Sequence, residues 1–99
     1  MNEISIEHFL KLEKSDLQVI DIREEYEYSN GHIESINIPM DQMLNSIKNL
    51  DKTKQIILYC QTGRRAAAVV YMLKKKYALN NIFNLTGGYQ AYMSITSNI

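Results

Sequence analysis

Short apolar runs, each no longer than a single strand, alternate along this chain with segments of helical composition, and this alternation narrows the possible folds more than any other feature. The runs fall at residues 17–22 (LQVIDI), 36–38 (INI, closed by Pro39), 55–59 (QIILY) and 82–85 (IFNL), with Ile4 as a candidate for a further edge strand. Between them, residues 7–13, 24–30 and 41–49 have helical composition, and Gly31 is placed as a stop for the second. The clearest helix begins at Arg64 or Arg65 and runs to about Lys76, with Ala66, Val69, Val70, Leu73 and Tyr77 spaced as one buried stripe. Lys74, Lys75 and Lys76 crowd its last turn, where cations complement the helix dipole. A parallel strand connection needs a crossover, which a helix supplies economically. The expected class is therefore α/β: a small parallel sheet of four to five strands with helices on both faces.

At 99 residues the chain suits one compact domain spanning residues 1–99 and leaves little room for a second core. No Pro/Gly/Ser linker or internal repeat divides it. Eleven basic residues balance eleven acidic ones, so no overall positive field gathers nucleic-acid phosphates, and the seven tyrosines are too scattered to form a stacking platform. The longest apolar runs, such as Ile56, Ile57 and Leu58, fall far short of the roughly 20 residues of a membrane span. With no signal-peptide pattern at the N-terminus, the expected location is the cytoplasm. A single cysteine excludes an internal disulfide, and with only His8 and His32 beside it the chain lacks a structural zinc pattern.

That cysteine, Cys60, stands where the run 55–59 ends, and Gln61, Thr62, Gly63, Arg64 and Arg65 follow before the helical stripe begins. In an open parallel sheet ligands bind beyond the carboxyl ends of the strands, and a turn entering a helix presents unpaired N–H groups that can cradle an anion. The helix end and the two arginines should favour a thiolate, below the free thiol's pKa of about 8.5. Gly63 supplies the backbone freedom that such a turn requires. A free cysteine is more often a small buried hydrophobe. An inert one, however, does not call for a glycine turn, two arginines and a helix start immediately after it.

The pattern Cys60-x-x-Gly63-x-Arg65, opening a helix with Ala66-Ala67, resembles the active-site loop of the rhodanese-like sulfurtransferases of the single-domain type. Other landmarks of that family follow in order: Asp21-x-Arg23-x-x-x-Glu27-Tyr28, then Gly31-His32-Ile33 with Ile36-Asn37-Ile38-Pro39, then Leu85-x-Gly87-Gly88. Glu34-Ser35 and Tyr92 depart from the family's usual residues at loop and packing positions.

The resemblance implies a rhodanese-like fold and a sulfurtransferase that carries sulfane sulfur as a Cys60 persulfide. Gln61, Thr62, Gly63, Arg64 and Arg65 would bind the donor, and Asp21 and Arg23 would support the loop, although a plain surface ion pair explains that pair equally well. His32 is read as structural. The Gly87-Gly88 pair is read first as a tight turn and second as a close approach to the loop. The implied donors are thiosulfate or a related persulfide. The implied acceptors are cyanide or a thiol, a protein thiol included. No metal, organic cofactor, nucleic acid or membrane is expected, and the expected state is a monomer. The rivals are a non-catalytic rhodanese-like binding module and an arsenate reductase or phosphatase of related fold. The latter's loop holds one more residue between cysteine and arginine than the four found here.

Overall fold

The computed structural model describes residues 2–97. In chain order the elements are β1 (Glu3–Ile4), α1 (Ile6–Lys11), a 3₁₀ turn (Lys14–Asp16), β2 (Leu17–Asp21), α2 (Glu25–Ser29) and β3 (Ile36–Asn37). A 3₁₀ segment (Met40–Asn49), β4 (Gln55–Tyr59), α3 (Arg64–Tyr77), β5 (Ile82–Leu85) and α4 (Gly88–Thr96) complete them. All five strands pair in parallel in the order β1-β5-β4-β2-β3. The most apolar run becomes the central strand: β4 pairs with β2 from Leu17↔Gln55 to Asp21↔Tyr59, and with β5 from Ile56↔Ile82 to Leu58↔Asn84.

The strand's period of two divides the core. Ile56, Leu58 and Cys60 join the layer containing Ala66, Val69, Val70 and Leu73 of α3 and Met43 of the 3₁₀ segment. Ile57 and Tyr59 join the other, with Ile6 and Phe9 of α1 and Tyr89 and Tyr92 of α4. Cys60 thus directly follows the central strand, on the face covered by the helix that comes next. This is the α/β class expected, with helices on both faces.

Several element ends differ from expectation for identifiable reasons. Helix α1 begins at Ile6, one residue early, because Ser5 caps it: its Oγ accepts from the His8 amide at 3.1 Å. Residues 40–49 wind as a 3₁₀ segment rather than an α-helix. Asn45, Ser46 and Asn49 are weak α-formers that compete for backbone groups, and the Ser46 hydroxyl donates to the Gln42 carbonyl at 2.9 Å. Tyr77 leaves the expected stripe and is 39% exposed, because Ala78 adopts a left-handed turn (φ 54°) that sends Leu79 into the core in its place. The lysines of α3 serve local packing: the Lys74 ammonium donates to Asn2 Oδ1 at 2.6 Å, and those of Lys75 and Lys76 lie over the Tyr71 and Tyr77 rings.

Candidate active site

Cys60 sits between the N-termini of two helices. Gly63, the residue before α3, has φ 93° and no side chain with which to cap the helix. The sulfur takes that capping role: Cys60 Sγ accepts from the Gly63 amide at 3.1 Å and from the Ala66 amide, in the first turn of α3, at 3.3 Å. The carbonyls of the same loop are bound from the other side by the first turn of α4. The Tyr89 amide donates to the Cys60 carbonyl at 2.8 Å and the Gln90 amide to the Gln61 carbonyl at 3.0 Å. With its carbonyls held by α4, the loop can turn amides toward the sulfur.

Gly88 makes this clamp possible. A methyl group there would strike the Cys60 carbonyl oxygen and come within 2.8 Å of the Gln61 carbonyl carbon. The Gly87-Gly88 pair therefore does more than turn the chain. Asn84 of β5 adds a third tie, donating from Nδ2 to the Gly63 carbonyl at 3.1 Å.

Asp21 and Arg23 form a fully buried pair rather than a surface one, with side chains 0% and 3% exposed. The Arg23 guanidinium donates from Nε to both Asp21 oxygens at 3.0 Å and from Nη2 to Oδ2 at 2.7 Å. Nη1 reaches Gln61 Oε1 at 3.2 Å and Nη2 the Gly31 carbonyl at 2.8 Å, while the group lies 4.5 Å from the Tyr89 ring centroid. One cation thus joins the ends of β2 and α2 to the cysteine loop. Burial opposes its charge, but the Asp21 carboxylate outweighs that and holds its pKa above the ordinary arginine value.

Arg65 is met by Glu27 of α2, its Nη1 and Nη2 each donating to a carboxylate oxygen at 3.2 Å. Glu27 Oε1 also accepts from the Glu24 amide at 3.0 Å, so the carboxylate is anchored in its own helix. Hydrogen bonds from Arg65 lower the Glu27 pKa. Those same bonds raise the Arg65 pKa against the effect of burial, with a smaller contribution from the Cys60 sulfur. Thr62 and Arg64 are exposed.

The structure therefore gathers Cys60, Gln61, Gly63, Arg65, Asp21 and Arg23 into one hydrogen-bonded assembly and leaves the Thr62 and Arg64 side chains at its rim. Ala66, Glu27, Asn84 and Gly88 belong to the assembly but were not read as site residues. Glu27 lay within a recognised motif, yet nothing local announces its contact with Arg65, which is 38 residues away. His32 is exposed and stacked on Tyr28 at 3.8 Å between ring centroids, with Nδ1 against the Tyr28 carbonyl. Buried Tyr59 accepts from the Ile33 amide at 3.0 Å, and burial raises its pKa, so its hydroxyl acts as a structural post. A cavity of about 460 Å³ bounded by Phe9, Leu17, Val19, Ile36 and Tyr92 among others includes no residue of the cysteine loop. Among the described residues no helix is long and apolar enough to cross a membrane.

Residues 7–95 match the family model of the rhodanese-like domain. Among curated proteins, the uncharacterized protein YqhL of Bacillus subtilis (strain 168) is 34% identical over 76 residues, covering 76% of this chain and 60% of that protein. The tRNA uridine(34) hydroxylase of Yersinia enterocolitica is 33% identical over 103 aligned residues, covering 89% of this chain and 29% of the enzyme. The chain thus spans less than two thirds of the length of either relative. Among solved structures, a rhodanese-related protein from Thermoplasma volcanium superposes with a TM-score of 0.85 at 29% identity, covering 96% of this chain and 93% of that one.

Proposed function

Because the chain belongs to the rhodanese-like domain family, we propose that it moves sulfane sulfur from a small donor to a thiophilic acceptor through a persulfide on Cys60. The observation that carries this reading is the pair of amides, Gly63 and Ala66, aimed at the Cys60 sulfur from the start of α3. Fixed N–H donors favour negative charge on that atom, and the thiolate is the nucleophilic form. With thiosulfate, the thiolate attacks the outer sulfur, the sulfur–sulfur bond of the donor breaks, and its electron pair leaves on sulfite. The new outer sulfur bears the negative charge. Cyanide or a thiol then attacks it and regenerates the Cys60 thiolate. The course uses neither metal nor organic cofactor, and its partners are small sulfur donors with a cyanide, small-thiol or protein-thiol acceptor.

The burial of the nucleophile favours sulfur over phosphorus chemistry. Cys60 is only 1% exposed. A terminal sulfur can reach such an atom end-on, whereas a tetrahedral phosphoryl group brings three oxygens that need a wider ring of donors. The loop has one residue fewer between Cys60 and Arg65 than the phosphate-binding loops.

Initial rates with thiosulfate and cyanide, each varied against the other, test the reading. A covalent intermediate gives parallel double-reciprocal lines, and Cys60→Ser forms no thiocyanate. If thiosulfate, an alkyl hydropersulfide and a polysulfide all fail to load the cysteine, the chain is a binding module of the same fold.

A further inference from the structure

We infer that Glu27 sets the charge class of the sulfur donor: by pairing with Arg65 it neutralises the guanidinium beside Cys60, so the site favours hydropersulfides over the dianion thiosulfate. This deepens the sulfur-transfer reading and rests on it. The argument begins with the cations around the loop. Arg23 is committed to Asp21 at 2.7 Å in a buried pair. Arg65 is committed to Glu27 through both terminal nitrogens, and Glu27 is held in turn by the Glu24 amide, so the pair is preorganised rather than a chance surface contact. Among the described residues only Arg64 stands near the loop without an ion pair, and it is exposed, where water and salt screen it.

The reacting charges differ sharply between donors. Thiosulfate brings two negative charges to a thiolate, three in all, and they remain when sulfite departs. A hydropersulfide in its neutral form, R–S–SH, adds none. The thiolate attacks the outer sulfur, the donor's sulfur–sulfur bond breaks with its electron pair leaving on R–S⁻, and the proton stays on the transferred sulfur. One negative charge exists before and after. The buried Arg23 and the half-buried Arg65 both have carboxylate partners, so the charge available to compensate a donor suits the second case. Glu27 does not touch the reacting atoms and acts through Arg65 as a positioning and specificity-determining residue. Glu27→Gln is a close isostere that keeps one oxygen for the Glu24 amide and Arg65 Nη1, and removes the charge together with the acceptor of Arg65 Nη2.

The test measures kcat/KM for loading Cys60 from thiosulfate and from tert-butyl hydropersulfide, in the full chain. The native protein should prefer the hydropersulfide. Glu27→Gln should raise the thiosulfate-to-hydropersulfide ratio by about tenfold, chiefly through a lower KM for thiosulfate and with a steeper salt dependence. Arg65→Gln, which leaves the carboxylate unopposed, should move the ratio the other way. A purely structural role would depress both donors together and leave the ratio unchanged, which would overturn the inference, as would a native preference for thiosulfate. If neither donor loads the native protein, sulfur transfer itself fails, an outcome distinct from an unchanged ratio between two active donors.

Discussion

At the scale of single residues, burial decides what a side chain is for. Asp21 and Arg23 stand two positions apart, and in the sequence they fit a surface ion pair as well as an internal brace. An exposed pair contributes about 0–1 kcal/mol. Here both side chains are buried, and the guanidinium also holds Gln61 and the Gly31 carbonyl. Removing one partner strands a buried charge, so Asp21→Asn should destabilise the protein by about 3–5 kcal/mol. Urea unfolding with an unchanged m-value checks this, and a loss below about 1 kcal/mol would restore the surface-pair account. Sequence alone could not settle the matter, because burial of Arg23 depends on the approach of Gln61 and Tyr89, both contributed by later elements. Cys60 was more legible: its strand, its glycine turn and its helix are contiguous, so chain order alone brings the sulfur to the helix end.

At the scale of elements, β2 to β5 were readable because each lies in a short run rich in apolar residues, and differences collected where the backbone makes local choices, as at Ser5 and Ala78. The clamp by α4 was the part least accessible to reading. Its donors are backbone amides, which no side-chain pattern encodes, and only the Gly87-Gly88 pair hinted at close approach. Gly88→Ala tests the clamp. The residue has φ 63° and its added methyl group would meet loop carbonyls. Strain of about 1–3 kcal/mol is expected. Displacement of the loop by about 1 Å should slow sulfur loading by ~100-fold, a larger effect than lost stability alone would produce in a protein that remains folded. Circular dichroism establishes folding, and a folded variant that loads at the native rate would show that α4 does not set the loop.

At the scale of the whole molecule, parallel order carries the carboxyl ends of β2, β4 and β5 to one edge, and residues from widely separated segments meet there: Asp21, Cys60 and Gly88. The alternation of strand and helix made the class legible, whereas the strand order β1-β5-β4-β2-β3 follows from pairings that no local pattern specifies. The central claim is that this edge exists to carry sulfur on Cys60. Intact-protein mass spectrometry tests it most directly, after exposure of the native chain and of Cys60→Ser to thiosulfate and to an alkyl hydropersulfide, before and after cyanide. The native chain should gain the mass of one sulfur atom, lose it to cyanide, and show neither change once Cys60 is replaced. A native chain that never gains that mass from either donor, or a Cys60→Ser chain that gains it equally, would contradict the account.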